Sequence, residues 1–389
     1  MPRTIYFSFA DPIGFSGQKA ATELVIKGLT ARGWSCRRLP LPVFKDSGQE
    51  TRPMRFVANL LAAWTRALRL SIKGRGWLCV NLGQTRFSLV RDAVPVLAGR
   101  VGLGRGRVCI VLHGSLFMRW KRDSLNARAF TFLLGNAAII SVLGESQRNR
   151  LIDLGIPGER VQVVVNSCDA EVLSPETVRV KHDPASCADR PVRLLFLSSL
   201  IDTKGYPEFL EAVGRIAVWG GPAVSAVICG RISPSEFSDR FREPAAAESW
   251  IEEQIATINR SPRSSARWVR GASGAEKATL LREADVFVLP TRYPVEAQPV
   301  ALLEAMASGC AIVTSRAGEI TTVLDDECAV LLENPTTDAV EAALQTLSIN
   351  PEKRSRLACA AHKRFVERFG VERHLDRWES LLNPHGAKP

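Results

Sequence analysis

Two glutamates, Glu296 and Glu304, stand with seven residues between them in the segment ADVFVLPTRYPVEAQPVALLEAMASGCAIVTSRAGEI, which begins at Ala284. A buried-strand pattern ends there at Pro290, an irregular loop carries Glu296, and a helix begins near Pro299, since proline suits the first helical position. A ligand over that loop would meet both carboxylates, and carboxylates accept paired hydrogen bonds from sugar hydroxyls. The helix N-terminus opens at the carboxyl end of the strand. Its N–H groups at Val300 and Ala301, with the helix dipole behind them, favour a phosphate. Taken alone, such a pair reads more simply as two solvent-facing glutamates flanking a core helix, so the neighbouring residues must decide.

E-x7-E followed by AMASG and AIVTSRAGEI resembles the retaining group 1 (family 4) glycosyltransferases of the GT-B fold. The resemblance implies that Glu296 contacts the transferred sugar and that Glu304 holds the ribose of the nucleotide. It extends through most of the chain, more loosely in the first half. LLFLSSLIDTKGYPEFLEAV resembles the family's strand, turn and Lys-Gly segment, whose lysine clamps the donor diphosphate, and Lys204 has that place. VICGR resembles the next strand and its glycine turn at Gly230, and VRGASGAEKATLLREADVFVLP the stretch where backbone near Gly271 meets the base. LHGS puts His113 where the family has a His-Gly facing the cleft, and VVVNSCD is similar to its Asn-Gly-x-Asp turn. By the same resemblance the catalytic group is Glu296, His113 and Lys204. The substrate is a nucleotide-diphosphate sugar such as a UDP- or GDP-sugar, with no cofactor and no metal, and transfer retains the anomeric configuration. Negative charge building on the leaving phosphate would be met by Lys204 and the helix N–H groups.

Three departures from the family pattern matter. Many relatives carry an arginine five positions before the lysine, where this chain has Ser199, so Arg231 and Arg292 become candidates to complete the clamp. The Gly-Phe-Gly that often follows the first glutamate is Ala297, Gln298, Pro299, which removes one N–H donor and adds a side-chain amide. An altered sugar pocket is expected. The Asn-Gly turn is Asn166, Ser167.

Such a site needs strands to position it, and the pattern supplies them. TIYFSFA, a Gly-containing turn, and a helix from about Gln18 to Arg32 open an α/β unit. WLCVNL, VCIVLHG, AIISVLG and VQVVVN follow as strands, each before a helical segment. The turn from Gly14 to Gly17 could bring an acceptor or phosphate close to backbone, although a bare Gly-x-x-Gly is a weak signal. Ser174 to Pro191 turns polar and reads as a linker. The alternation then restarts with VRLLFLSSL, AVSAVICG, ARWVRG and DVFVLPT, with a polar helical excursion from Ser235 to Asn259. The expected fold class is α/β of the GT-B kind: two Rossmann-like, doubly wound parallel-sheet domains facing across a cleft. Residues 1–185 would bind the acceptor and 190–364 the nucleotide sugar, with helices in 365–385 packing back on the first domain.

Composition narrows the alternatives. The 389 residues are 46% hydrophobic and 23% charged, enough for two cores. No run reaches the roughly 20 apolar residues of a membrane span, and the opening MPRTIYFSFADP lacks a signal-peptide pattern, so a cytoplasmic protein is expected. The nine scattered cysteines lack a C-x-x-C pair and read as reduced. None of the five histidines has metal-ligand spacing.

The net charge of +11 is concentrated: Thr51 to Phe130 holds fifteen Lys or Arg against two acids, Asp92 and Asp123. From Arg55 to Lys73, helical spacing aligns Val57, Leu60, Leu61, Trp64, Leu68 and Ile72, a stripe that either fills a core or lies on an anionic membrane. The partners expected are therefore a nucleotide sugar, a saccharide or lipid-linked acceptor, and peripheral contact of 55–130 with the inner face of the cell membrane. A basic nucleic-acid-binding protein is the competing class, but no recognition motif accompanies the charge. A non-catalytic GT-B protein and a GT-B-fold sugar-nucleotide epimerase complete the alternatives.

Overall fold

The computed structural model describes residues 3–11, 17–43, 45–46, 49–50, 53–69, 75–184 and 190–383. Gly14 and the residues from 70 to 74 lie outside them. The chain forms two compact units, one of Met1–Cys168 with Val371–Pro389, the other of Asp169–Gly370.

Unit 1 runs β1 (Thr4–Ala10), α1 (Gly17–Ala31), β2 (Ser35–Leu41), a short hairpin β3 (Lys45–Asp46) and β4 (Gln49–Glu50), and α2 (Pro53–Leu68). It continues with β5 (Trp77–Asn81), α3 (Arg86–Gly102), β6 (Val108–Val111), α4 (Leu125–Leu134), β7 (Ile139–Val142), α5 (Glu145–Asp153) and β8 (Val161–Val163). Its sheet has the order β2-β1-β5-β6-β7-β8, and every pairing is parallel. Strands covered on both faces read as unbroken apolar runs, and β5 and β6 are buried throughout.

Unit 2 runs α6 (Pro175–Lys181), β9 (Val192–Leu197), α7 (Tyr206–Val218), β10 (Val224–Cys229), α8 (Pro244–Ile258), β11 (Ser265–Val269), α9 (Gly274–Glu283) and β12 (Val286–Leu289). Then come α10 (Val300–Ala307), β13 (Ala311–Ser315), α11 (Ile320–Val323), β14 (Val330–Leu332), α12 (Thr337–Ile349) and α13 (Pro351–Arg368). The sheet order is β11-β10-β9-β12-β13-β14, again all parallel. The chain winds outward one way from β9 through β10 and β11, then the other way from β12, so the strand order reverses between β9 and β12. That reversal is where open α/β sheets bind ligands.

The last helix, α14 (Val371–Leu382), belongs to unit 1. Leu375, Trp378 and Leu382 join Ile5, Phe7, Val25 and Leu29 in one core layer. Burial of side chains of this size stabilises by about 1.5–3 kcal/mol each, as an upper figure. Arg32 of α1 fixes the helix laterally by donating to Asp376 at 2.7 Å and Glu379 at 2.9 Å.

Three local readings of the sequence give way to the structure. The polar stretch after Ser174 begins with a helix: Ser174 caps α6, its hydroxyl accepting from Thr177 N at 3.1 Å, and Pro175 takes the first turn. Lys181 Nζ then donates to Ser308 O at 2.8 Å, and His182 Nε2 lies 2.8 Å from Gly309 O, so this helix is fastened to unit 2. In α2 the inward side is Phe56, Ala63 and Ala67, while Val57, Leu61 and Leu68 of the expected stripe are exposed. Phe56 wins the inward place because it meets Phe87 of α3, ring centroids 5.5 Å apart. The helical excursion is likewise shorter than expected, since residues up to Glu243 form a loop and α8 starts at Pro244.

Candidate functional site

The loops that leave β9 and β12 are bound to each other by backbone: Arg292 N donates to Thr203 O at 2.8 Å. After β9 the chain makes a single 3-10 turn, Asp202–Lys204, and closes it at Gly205 with φ +91°. A Cβ at Gly205 would strike the backbone of Pro290, so this close approach requires glycine. Lys204 is thereby aimed at the β12 loop. Its Nζ lies 3.2 and 3.3 Å from the two oxygens of Glu296, and 5.0 Å from the Tyr293 ring centroid.

Glu296 is nearly buried and is held from the other side by Thr291, whose hydroxyl donates at 3.0 Å. Behind it the turn at Gly318 and Glu319 packs on the same loop, with Glu319 N donating to Ala297 O at 2.9 Å. Gly318, with φ +56°, has no room for a Cβ against the Glu296 and Ala297 carbonyls. The loop carrying the first glutamate is therefore braced from β9, β12 and β13. Gln298 is buried beside it, and Pro299 caps α10. No acid stands in the first turn of α10, so the N–H groups of Val300 and Ala301 keep their affinity for an anion.

Glu304 lies within α10, nearly buried, and accepts from Lys277 Nζ at 2.5 Å. Burial pushes its carboxyl up, opposed by the Lys277 ammonium. Gly230 follows β10 with φ +159°, and its carbonyl accepts from Trp268 Nε1 at 2.9 Å. Beyond β11, Gly271 has φ +105° and the Arg231 side chain lies alongside it, its Nε donating to Arg270 O at 3.3 Å.

Lys204 and Glu296 thus meet at the β12 loop, which runs through Gln298 into Val300 and Ala301 at the start of α10; Glu304 lies further along α10 on Lys277, while Gly230, Arg231 and Gly271 follow the ends of the neighbouring strands. Ser199 is exposed after β9. Arg292 differs from its rival Arg231, because its guanidinium is held by Asp239 at 2.6 Å and Glu208 at 3.2 Å. Its charge is spent on the loop of residues 231–243, which Asp202 also anchors by accepting from Arg240 N at 2.6 Å and Phe241 N at 2.9 Å.

In unit 1, Gly17 opens α1 after β1, and His113 follows β6. Close packing around the His113 ring and the nearby His374 push its imidazole down to about 4, so it is neutral at ordinary pH. Gln84 and Gln147 steady its loop, both donating to Gly114 O, at 2.8 and 3.2 Å. Asn166 and Ser167 are buried.

Sequence reasoning passed over Lys277, Thr291 and Tyr293. Lys277 lies 27 positions before Glu304 in an ordinary-looking helix, so no local spacing marks it. Thr291 and Tyr293 stand inside the motif segment, and a hydroxyl five residues before a buried carboxylate was the available signal.

Paired parallel sheets of this kind, each with helices on both faces, define the GT-B class. Anabaena HepE, solved with UDP-glucose, has a TM-score of 0.70 to this chain at 17% identity over 97% of this chain and 99% of that one. Sucrose-phosphate synthase from Thermosynechococcus elongatus gives 0.68 at 15% identity, covering 98% of each chain. Residues 181–364, all within unit 2, match the model of the family glycosyl transferases group 1. Among curated proteins, the MMP alpha-(1->4)-mannosyltransferase of Mycolicibacterium hassiacum is 28% identical over 272 residues, 68% of this chain and 58% of its own length. The amylovoran biosynthesis glycosyltransferase AmsK of Erwinia amylovora is 24% identical over 217 residues, 54% of this chain and 47% of its own. The chain spans about half the length of these curated relatives.

Proposed function

We propose that the protein is a glycosyltransferase that moves a sugar, with retention and without a metal, from a nucleoside-diphosphate sugar to a saccharide or lipid-linked acceptor. The observation that carries this reading is the Lys204–Glu296 pair at the reversal point of the second sheet, with Nζ 3.2 and 3.3 Å from the carboxylate oxygens. A cation meets a carboxylate there beside a helix N-terminus, so positive potential for a diphosphate adjoins an acceptor of sugar hydroxyl bonds.

As the bond from the anomeric carbon to the diphosphate lengthens, charge develops on the phosphate oxygens. Lys204 and the N–H groups of Val300 and Ala301 stabilise that charge without reorganising, because the loop that aims them is already braced. Arg231 completes the cationic side in place of the arginine that Ser199 displaces. Glu296 orients the sugar and Glu304 takes the ribose, while neutral His113 accepts a hydrogen bond on the acceptor side. The solved structure that holds UDP-glucose makes a UDP-sugar the first donor to test, with a GDP-sugar beside it.

Titration of the whole chain with UDP, GDP and ADP sugars, followed by nucleotide release in the presence of saccharide acceptors, tests the reading. Lys204→Ala and Glu296→Gln should each lower turnover by about 100-fold or more, the scale of losing one stabilising group at developing charge. Unchanged melting would show that the fold is intact. Wild-type turnover in either variant would remove that residue from the reaction, and no binding of any nucleotide would remove the activity.

A further inference from the structure

Ten of the seventeen large apolar side chains that stand exposed among the described residues fall between Met54 and Phe132, on three helices of unit 1. They do not scatter. In α2, Met54, Val57, Leu61 and Leu68 recur at helical spacing on a line separate from the buried Phe56, Ala63 and Ala67. In α3, Val90, Leu97 and Val101 do the same, with Val90 64% and Val101 77% exposed, while Leu89 and Val96 face the sheet and the partly exposed Phe87 meets Phe56 of α2. In α4, Leu125 and Phe132 are 79% and 63% exposed, seven positions and nearly two full turns apart, opposite the buried Phe130 and Leu134.

These helices are neighbours: α2 packs on α3 and α3 on α4. Because α3 and α4 each bury the opposite side in the core of unit 1, their outward stripes point away from it together. Each helix therefore has one apolar side in the core and a second in water, which its own folding does not explain.

The exposed charge around the stripes is predominantly positive, with Asp123 the exposed acid before α4. Arg55, Arg66 and Arg69 follow the α2 stripe, Arg86 and Arg100 that of α3, and Arg128 that of α4, and all six are exposed. Between Thr51 and Asn136 the sequence holds only two acids, and Asp92 is buried against Arg91 at 2.6 Å. We infer that the outward face of α2, α3 and α4 docks on a bilayer containing anionic lipid, with aliphatic side chains entering the headgroup boundary and arginines meeting phosphates. Eight of these ten side chains are Val, Leu or Met, which suit acyl chains, whereas a nucleic acid would call for a surface dominated by polar groups and stacking rings. The inference stands independently of the proposed glycosyl transfer, since it rests on a surface of unit 1 that includes none of the donor residues.

Co-sedimentation of the full chain with vesicles tests it, using phosphatidylcholine alone and phosphatidylcholine with one quarter phosphatidylglycerol. Binding should be at least tenfold tighter to the anionic vesicles and should weaken several-fold at 0.5 M salt. Val90→Glu with Val101→Glu, at exposed positions that leave the core untouched, should lower that binding at least tenfold. Melting temperature and nucleotide binding, measured on the same samples, should not move. Equal binding to both vesicles would overturn the proposal, as would wild-type binding by the double variant. Loss of self-association in the variant, with no vesicle binding by the parent, would also overturn it and make the face a contact between copies. RNA binding that persists in the double variant, with no vesicle binding, would overturn it in favour of a nucleic-acid surface.

Discussion

Arg231 and Arg292 look alike in the sequence as replacements for the cation missing at Ser199, and their surroundings separate them. Arg292 is committed to Asp239 and Glu208. Arg231 is exposed, its Nε donates to Arg270 O, its stem lies alongside Gly271, and no ion pair to it is found among the described residues. Arg231→Ala should weaken binding of a nucleoside diphosphate on the order of tenfold, since charge-assisted hydrogen bonds to phosphate are lost. Its melting temperature should stay near that of the parent. Arg292→Ala should act the other way, lowering melting while changing affinity less, because Glu208, whose carboxyl burial already pushes up, loses its partner. Calorimetric titration with UDP decides, and equal effects in the two variants would refute the assignment. The pair also shows where reading the sequence stops. Both arginines follow strand ends and so could be placed near the ligand, but Asp239 lies 53 positions from Arg292 and Glu208 84, separations at which no sequence pattern connects them.

At the scale of elements, what was legible depended on whether a signal was local. The β12 strand, its loop and α10 could be read because a buried run, a proline and a helical pattern follow one another directly. The α6 helix was legible too, as Ser174 and Pro175 are a cap and a first-turn proline, yet the surrounding polarity outweighed them. The orientation of α2 was not legible. It carries two apolar lines, and only the position of Phe87 on another helix selects which one turns inward. The domain boundary had the same limit, since a linker can be recognised by composition only when it is irregular, and here the chain leaves unit 1 before its polar stretch begins. One short element carries the site's geometry. Gly205→Val should strain the Asp202–Lys204 turn through both its φ of +91° and contact with the Pro290 backbone. The expected cost is about 1–3 kcal/mol, read by denaturant unfolding, together with loss of nucleotide affinity as Lys204 swings from Glu296. Parental stability and affinity in that variant would show the turn to be plastic.

Three histidines give the whole molecule a common response to acid. His113 and His374 in unit 1 and His182 in unit 2 are each pushed down to about 4, chiefly by burial. His182 is fully enclosed, with Lys181 and Arg354 adding to the effect and Asp285 opposing it. An unfolded histidine takes up its proton near pH 6.5. Between there and pH 4 the unfolded chain therefore binds protons that the folded chain does not, so stability falls as pH falls through that window and is fully retained above it. The loss between pH 7 and pH 5 should be on the order of 2 kcal/mol for each histidine. Scanning calorimetry from pH 7.5 to pH 5 should show the transitions of both units moving down, since each holds two histidines kept below their ordinary value, His113 and His374 in unit 1 and His182 and the half-buried His362 in unit 2. His182→Gln should flatten the response of unit 2 specifically, since its glutamine cannot take up a proton on unfolding. Melting that is level across the window would mean that these rings are protonated in the folded protein, and the neutral His113 assigned to the acceptor side would fall with it.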